Sequence, residues 1–356
     1  MEVFMIKNSK IKVSMFSSAE KVKGQGVASA YREQVELVKE LPQKFEIFFN
    51  KLFNVDIAHF HTIDLKHYFF SKLFKRKGVS VAYVHFLPET VDSSLNFPAL
   101  VEGIFFKYII KFYQSMDYLV TVNPYFINKL VKQGIDREKI YYIPNYVSNE
   151  NFYPYPADKK LALRKEMEIA EDKFVVLGVG QIQNRKGVLD FVEVAREFPE
   201  VKFIWAGGFS FGRITSGYQK LKEIVDNPPA NIEFTGILPR EKMNDYYNTA
   251  DLLFMPSYNE LFPMSILEAM SCHLPLLLRD IPLYQEILAG YYLSAESNKG
   301  FAEELRKLIA DQKYYQEAVD ISEAGNLYYS KKHVLYMWQK FYEEIYQNKV
   351  GQSEDQ

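Results

Sequence analysis

The sequence predicts an α/β protein built from two doubly wound, Rossmann-like parallel-sheet domains facing a cleft. Three observations lead there. Short apolar runs of strand length alternate with stretches of helical periodicity from Ile11 to the C-terminal region. The alternation breaks once, at Pro144, Asn145 and the Tyr/Pro-rich run Phe152–Pro156, and then restarts. A length of 356 residues suits two domains of ordinary size. The domains expected are residues 1–150 and 151–330. Residues 331–356 form a closing helix and tail, with the option of returning to the first domain.

Ile11–Phe16 alternates and reads as the first strand. Lys21–Val27 follows as a glycine-bearing loop that opens a helix over Ala28–Glu40. Gly24 and Gly26 there let backbone N–H groups approach an anion closely, although a plain turn accounts for a lone Gly-x-Gly equally well. Phe45–Phe49 and Asp56–Phe60 read as strands and Lys66–Lys77 as a helix. Val79–Val84 is a buried strand, and His85 stands just past its carboxyl end. Phe97–Met116 is an aromatic-rich helix, Tyr118–Val122 a strand, Pro124–Gln133 a helix and Tyr141–Ile143 a strand.

In the second half, strand Phe174–Val179 leads through Gly180-Gln-Ile-Gln-Asn-Arg185-Lys186-Gly187 into a helix ending at Arg196. Strands follow at Phe203–Ala206 and Ile232–Phe234, then a helix over Arg240–Thr249 and a strand over Asp251–Met255. Met264–Ser271 has helical spacing, with Pro263 just ahead of it, where a missing N–H costs nothing. Leu274–Leu278 is the next strand. Helices near Lys299–Asp311, Tyr314–Ala324 and Lys331–Tyr346 close the chain, and the polar tail Asn348–Gln356 is expected to fray.

Composition narrows the function classes. Hydrophobic residues make up 48% and charged residues 25%, a soluble globular balance. The single cysteine, Cys272, cannot form an internal disulfide and fits a reducing compartment. No apolar run is long enough to span a bilayer, and Met1–Ser9 is too short for a signal peptide. The expected location is the cytoplasm, or the inner face of the cell membrane as a peripheral protein. Residues 1–150 carry 20 Lys+Arg against 15 Asp+Glu, whereas the remainder carries 23 against 30. A basic first half favours anionic lipid or nucleic acid, and it equally describes a solvated basic face.

The chemistry gathers at carboxyl ends of strands. Glu260 lies in the loop after one strand, and Glu268 lies inside the following helix. The helix start between them offers N–H groups to an anion, so the pair suits a sugar nucleotide held by phosphate and hydroxyls. Arg185 and Lys186, between a buried strand and a helix, are placed to neutralise a diphosphate as a glycosyl bond breaks. Taken alone they also describe a solvated loop pair. His85 has one nitrogen to donate and one to accept, as a sugar hydroxyl requires. His59 and His61 have strand-ligand spacing without acidic or thiol partners, so no metal site is expected. Asp-x-Asp, Gly-x-Ser-x-Gly and the Gly-Lys-Ser/Thr phosphate loop do not occur.

With Glu260-x7-Glu268, Arg185-Lys186-Gly187 and the Asp251 strand in view, the chain resembles the family 4 retaining glycosyltransferases of GT-B architecture, over Ile11 to Tyr346. The resemblance implies that Glu260 contacts the donor sugar and Glu268 the ribose hydroxyls. It further implies that Arg185 and Lys186 hold the diphosphate, that His85 reaches the donor sugar, and that Gly26 lies beside the phosphates. Phe262, Met264 and Ser265 complete the implied donor site. One departure stands out: the residue after the first glutamate is Leu261 where the family has glycine.

A narrower resemblance, to the Gram-positive diglycosyl-diacylglycerol synthases, rests on Ser17–Val27, Tyr83–Thr90 and Val120–Phe126. It implies hexose transfer from UDP-glucose or UDP-galactose to monoglucosyl-diacylglycerol, giving the glycolipid type that anchors lipoteichoic acid. No cofactor, metal or nucleic-acid partner is expected. The acceptor and an anionic membrane surface would meet two basic–aromatic helices, at Lys72, Lys75, Arg76 and Lys77 and at Phe106, Lys107 and Lys111. Those aromatics equally have a sheet to cover. Alternative activities are a 1,2-diacylglycerol 3-α-glucosyltransferase, a transferase with a wall-polymer or protein acceptor, and an inactive sugar-nucleotide-binding subunit.

Overall fold

The computed structural model describes residues 10–18, 26–74, 77–85, 87, 99–209, 217–260, 262, 264–288 and 290–354; residues 26–30, 99–102 and 352–354 are described by their backbone alone. Among the described residues the strands form two six-stranded sheets with every pairing parallel. The chain divides into two compact units, Met1–Asn145 with Lys332–Gln356, and Tyr146–Lys331.

The first unit holds β1 (Ile11–Phe16), β2 (Phe45–Phe49), β3 (Ile57–Phe60), β4 (Val79–Val84), β5 (Tyr118–Thr121) and β6 (Ile140–Tyr142) in the order β2-β1-β3-β4-β5-β6. Its connecting helices are α1 (Gly26–Lys39), α2 (Leu65–Phe74), α3 (Ala99–Gln114) and α4 (Tyr125–Lys132). β4 is buried at all of its positions, as expected of a parallel strand covered on both faces. From β1 the chain steps outward to β2 and then returns to lay β3 on the other side of β1. That reversal opens a crevice at the carboxyl edge between β1 and β3.

The second unit repeats the plan. Its strands are β7 (Val175–Val179), β8 (Lys202–Ala206), β9 (Ile232–Gly236), β10 (Leu252–Met255), β11 (Leu276–Arg279) and β12 (Leu293–Ala295), ordered β12-β11-β10-β7-β8-β9. Its helices are α5 (Ala157–Glu166), α6 (Val188–Arg196), α7 (Tyr218–Asp226), α8 (Met243–Thr249), α9 (Met264–Ser271), α10 (Pro282–Leu288), α11 (Asn298–Ala310) and α12 (Gln312–Tyr328). Two apolar layers sandwich the sheet. One is built on Leu177, Leu253, Leu278 and α9, the other on Val176, Phe254, Leu277, α6 and α11. The order reverses between β7 and β10.

α5, α7, α10 and β12 are absent from the sequence reading. α5 buries no side chain, so periodicity gives it no signature. Its Arg164 instead donates to the Thr249 carbonyl at 2.9 Å and to Asp251 at 2.7 Å, pinning the entry to β10. β12 is a three-residue edge strand with no buried position.

The last helix, α13 (Lys331–Glu354), corrects the expectation of a frayed tail from Asn348. Trp338, Phe341, Tyr342 and Ile345 are buried on one face, and that spacing carries the helix past the polar residues. Trp338 and Tyr342 lie 5.5 and 6.0 Å, ring to ring, from His59 of the first sheet.

Candidate active site

β7 and β10 pair in register at Leu252↔Val176 and Leu253↔Leu177, so the loops leaving their carboxyl ends are neighbours. The first loop ends in a tight turn, Asn184–Lys186, closed by Gly187 at φ 70°. A Cβ on Gly187 would also run into the Pro256 carbonyl of the second loop. Only glycine meets both demands, left-handed backbone and bare contact. The Tyr258 N–H then donates to the Arg185 carbonyl at 2.8 Å, stitching the loops together.

The stitching brings Lys186 Nζ to 2.6 Å from Glu260 Oε1. The Glu260 side chain is buried at 5% exposure and that of Lys186 largely so at 12%. Arg185 stands further out, 48% exposed, with Nη1 at 3.9 Å from Glu260 Oε2. Its Nη1 donates to the Asn259 carbonyl at 3.3 Å and its Nε to Gln183 Oε1 at 2.8 Å. The Arg-Lys pair read from the sequence therefore divides into a buried inner cation and an outer one.

Glu268, inside α9, is also buried but serves a different cluster. Tyr247 Oη, from α8, donates to its Oε2 at 2.8 Å, and Arg240 Nη2 lies 3.5 Å from Oε1. Burial pushes the Glu268 carboxyl up, while the Tyr247 hydrogen bond and the Arg240 charge pull it back. Burial and the nearby carboxylate push the Tyr247 phenol far up, so it stays a donor. An oriented, partly desolvated carboxylate of this kind is suited to accepting from paired hydroxyls.

Between the two glutamates, Phe262 packs edge-on to Tyr329 at 6.2 Å. Met264 joins the apolar layer beneath, and Ser265 Oγ donates to Met255 Sδ at 3.5 Å. Leu261 and Pro263 lie outside the described residues.

In the first unit His85 sits just past β4 with its ring stacked on Tyr83, 4.3 Å apart and 15° from parallel. Burial lowers its pKa to about 3, so the imidazole is neutral, and no described residue partners its buried Nε2. His61, just past β3, is buried, and among the described residues neither of its ring nitrogens has a partner. His59 is linked to Tyr342 Oη at 2.7 Å through Nδ1. Among the described residues, no three His, Cys, Asp or Glu are grouped to hold a metal ion. Gly26 opens α1, and Gly24 lies outside the described residues.

α2 shows two faces. Phe74 is buried in the core, whereas Leu65, Phe69 and Leu73 are 65%, 61% and 65% exposed at a spacing of four residues. Lys72 lies over the Tyr68 ring and Lys77 over the exposed Phe53. On α3, Lys107 and Lys111 are exposed and Phe106 is half-buried. Lys75 and Arg76 lie outside the described residues. The exposed apolar stripe is not legible in the sequence, where Leu65, Phe69 and Leu73 look the same as residues that cover a sheet. Tyr247, Arg240, Tyr258, Asp190 and Arg279 were also missed. A charged residue closing the apolar run Leu276–Arg279 was the one available signal.

The chain matches the family model for group 1 glycosyl transferases over residues 159–326. An α-galactosylglucosyldiacylglycerol synthase of Streptococcus pneumoniae is 43% identical over 343 residues, spanning 96% of this chain and 92% of that protein. A processive diacylglycerol α-glucosyltransferase of Acholeplasma laidlawii is 28% identical over 260 residues, 72% of this chain and 75% of that protein. Among solved structures, the HepE protein of Anabaena in complex with UDP superposes with a TM-score of 0.72 at 15% identity, over 94% of this chain and all of that one. Sucrose-phosphate synthase of Thermosynechococcus elongatus gives 0.70 at 13% identity, over 95% of this chain and all of that one. At such identities the structural likeness speaks for the fold.

Proposed function

The chain belongs to the group 1 glycosyltransferases, and from that premise we propose that it moves a hexose from UDP-glucose or UDP-galactose onto monoglucosyl-diacylglycerol, with retention at the anomeric carbon. The product is a diglycosyl-diacylglycerol of the kind that anchors lipoteichoic acid. The observation that carries the reading is the buried Lys186–Glu260 pair at the strand-order reversal, in a chain so similar along its length to a galactosylglucosyldiacylglycerol synthase.

In the proposed chemistry Lys186, with Arg185 outside it, takes up the charge that grows on the UDP diphosphate as the sugar–phosphate bond breaks. Glu260 holds the donor sugar and Glu268 the ribose hydroxyls. The neutral His85 hydrogen-bonds the sugar and carries no proton away. The acceptor hydroxyl attacks from the face the diphosphate leaves. Its oxygen bonds to the anomeric carbon, its proton passes to the departing phosphate oxygen, and UDP leaves. The cations of the chain carry the charge, and no metal enters the scheme.

Glu268→Ala is expected to weaken UDP binding by about tenfold or more, and Tyr247→Phe by a smaller factor, since one hydrogen bond to a charged group is lost. Calorimetry with UDP checks both, and an unchanged affinity in Glu268→Ala would remove its ribose role.

The membrane face is the exposed Leu65–Phe69–Leu73 stripe with its neighbouring lysines, apolar residues entering the interface and cations meeting anionic head groups. Among the described residues no helix is long and apolar enough to cross a membrane, and the protein is proposed to act as a peripheral enzyme on the inner membrane face. Replacing all three stripe residues by serine is expected to cut binding to phosphatidylglycerol vesicles by about a hundredfold or more, since each large side chain contributes about 1.5–3 kcal/mol when fully buried and a factor of ten is about 1.4 kcal/mol. Vesicle sedimentation reads this, with the melting temperature as the folding control.

The test of the activity is radiolabelled transfer from each UDP-hexose, separately, into vesicles holding monoglucosyl-diacylglycerol or plain diacylglycerol. Label in a diglycosyl lipid from one donor supports the reading and names the hexose. Label with plain diacylglycerol alone replaces it with a first-step diacylglycerol glucosyltransferase. UDP release without lipid label removes the lipid acceptor.

A further inference from the structure

The loop that carries Glu260 has no secondary structure of its own after β10, and yet it must keep a carboxylate buried beside Lys186. The Gly187 turn supports it from one side. From the other side it is met by the guanidinium of Arg279, at the carboxyl end of β11 and only 7% exposed. Its Nε donates to the Pro256 carbonyl at 3.0 Å, where the loop leaves the sheet. Its Nη1 donates to the Glu296 carbonyl at 2.8 Å, just past β12. Its Nη2 lies 3.3 Å from Asp190 Oδ1 of α6. Tyr258, two residues before Glu260, lies with its ring 4.0 Å from the guanidinium centre, and its hydroxyl donates to the same Asp190 oxygen at 3.0 Å.

We propose that Arg279 is a positioning residue for sugar transfer. It fixes the Pro256–Glu260 loop through the Pro256 carbonyl and the Tyr258 ring, and so holds Glu260 in the place where Lys186 meets it. The inference rests on the donor-sugar role proposed for Glu260. The geometry needs arginine specifically. Two hydrogen bonds, to the Pro256 and Glu296 carbonyls, and a charge contact to Asp190 engage one planar fork whose face is covered by an aromatic ring, and a lysine ammonium cannot match that combination. Burial adds to the demand, because a guanidinium shut away from water has to find its partners within the fold. Asp190 sits in the first turn of α6, directly after Gly187, so the contacts form a closed circuit. It runs from the Lys186 turn through Asp190 and Arg279 to Tyr258, and back to the Arg185 carbonyl through the Tyr258 N–H. The cation and the carboxylate of the site are held at opposite ends of that circuit.

Tyr247 and Arg240, which hold Glu268, take no part in it. Loss of Arg279 should therefore act on turnover far more than on nucleotide affinity, since the Glu268 cluster stays intact. This separates positioning from mere structural support, which would lower the melting temperature and the active fraction without changing kcat per folded molecule.

The experiment compares wild type, Arg279→Lys, Tyr258→Leu and Glu260→Gln for kcat of transfer, UDP affinity by calorimetry and melting temperature. Tyr258 is 54% exposed, so its replacement is the variant that folds even if Arg279→Lys does not. The expected result is a fall in kcat of about tenfold or more in Arg279→Lys, and of several-fold in Tyr258→Leu, with UDP affinity within about twofold of wild type in both. If Arg279→Lys and Tyr258→Leu turn over at the wild-type rate while Glu260→Gln is crippled, the positioning role is overturned and the Glu260 role stands. If Glu260→Gln itself is unimpaired, the reading of the loop fails at its root. Losses of kcat and of UDP affinity by the same factor would reassign Arg279 to support of the whole unit, against the proposal.

Discussion

Lys186→Ala is expected to lower kcat by about a hundredfold or more, and Arg185→Ala by about tenfold, at equal expression and folding. The sequence puts these cations side by side and gives no ground for ranking them. The structure does. Lys186 is the largely buried half of an ion pair, so removing it takes away a charge donor and also leaves the buried Glu260 carboxylate with only the outer Arg185, 3.9 Å away, as counter-ion. Removing either partner of such a pair costs more than the pair itself contributes, because the remaining charge stays buried. Arg185 is half in water, where its charge is screened, and its guanidinium spends two of its bonds on Gln183 and the Asn259 carbonyl. Steady-state transfer from the UDP-hexose into glycolipid vesicles, with circular dichroism to verify folding, measures both. Equal losses for the two variants would mean that burial does not set their ranking. Losses under tenfold for both would return the pair to an ordinary solvated loop.

What could be read in advance follows from physical visibility. β1, β2 and β4 were placed to the residue: β4 because a parallel strand covered on both faces is an unbroken apolar run, β1 because it alternates, and the half-exposed edge strand β2 because its aromatic run has clear ends. Glu260, Arg185 and Lys186 were legible because each is a charged residue directly after such a run. Their convergence follows from topology, once β7 and β10 are neighbours. The invisible parts are those that pair polar groups across distant sequence. Tyr247 on Glu268 and Arg279 on Tyr258 join residues about twenty apart through side chains that carry no periodic signal. α5 was missed for the same reason, being held by Arg164 rather than by an apolar face. α13 was cut short because its polar end hides the buried face formed by Trp338, Tyr342 and Ile345.

The second large effect concerns acid. His59 and His61 are buried in the first unit, and His85 beside them is partly buried. Burial, and for His59 and His61 also the neighbouring imidazoles, lowers His59 and His85 to about 3 and His61 well below the usual histidine range. Aromatic rings surround them. His61 faces the edge of Tyr31 and the rings of Tyr83 and His59, and Trp338 closes over His59 and Tyr83 from α13. The unfolded chain takes up a proton at each of these histidines near pH 6.5, whereas in the folded chain His59 and His85 take up none until about pH 3 and His61 is lowered in the same direction. Between those limits the unfolded state binds more protons, so stability is full above pH 6.5 and is lost as the pH falls. Each histidine contributes about 1.4 kcal/mol per pH unit in that window, and three together about 4, against a total stability of about 5–15 kcal/mol for a domain. The first unit is therefore expected to unfold near pH 5, before carboxylates such as Asp64 and Glu343, whose ionised forms are favoured by their partners, begin to protonate. Urea midpoints at pH 7.5, 6.5 and 5.5 should fall steeply over the last step, and His61→Phe, which removes one proton site while keeping an aromatic ring in the stack, should flatten the slope by about a third. Equal midpoints at pH 7.5 and 5.5 would show that these imidazoles are not held neutral, and His85 would then be open to a role as proton donor that its burial otherwise denies it.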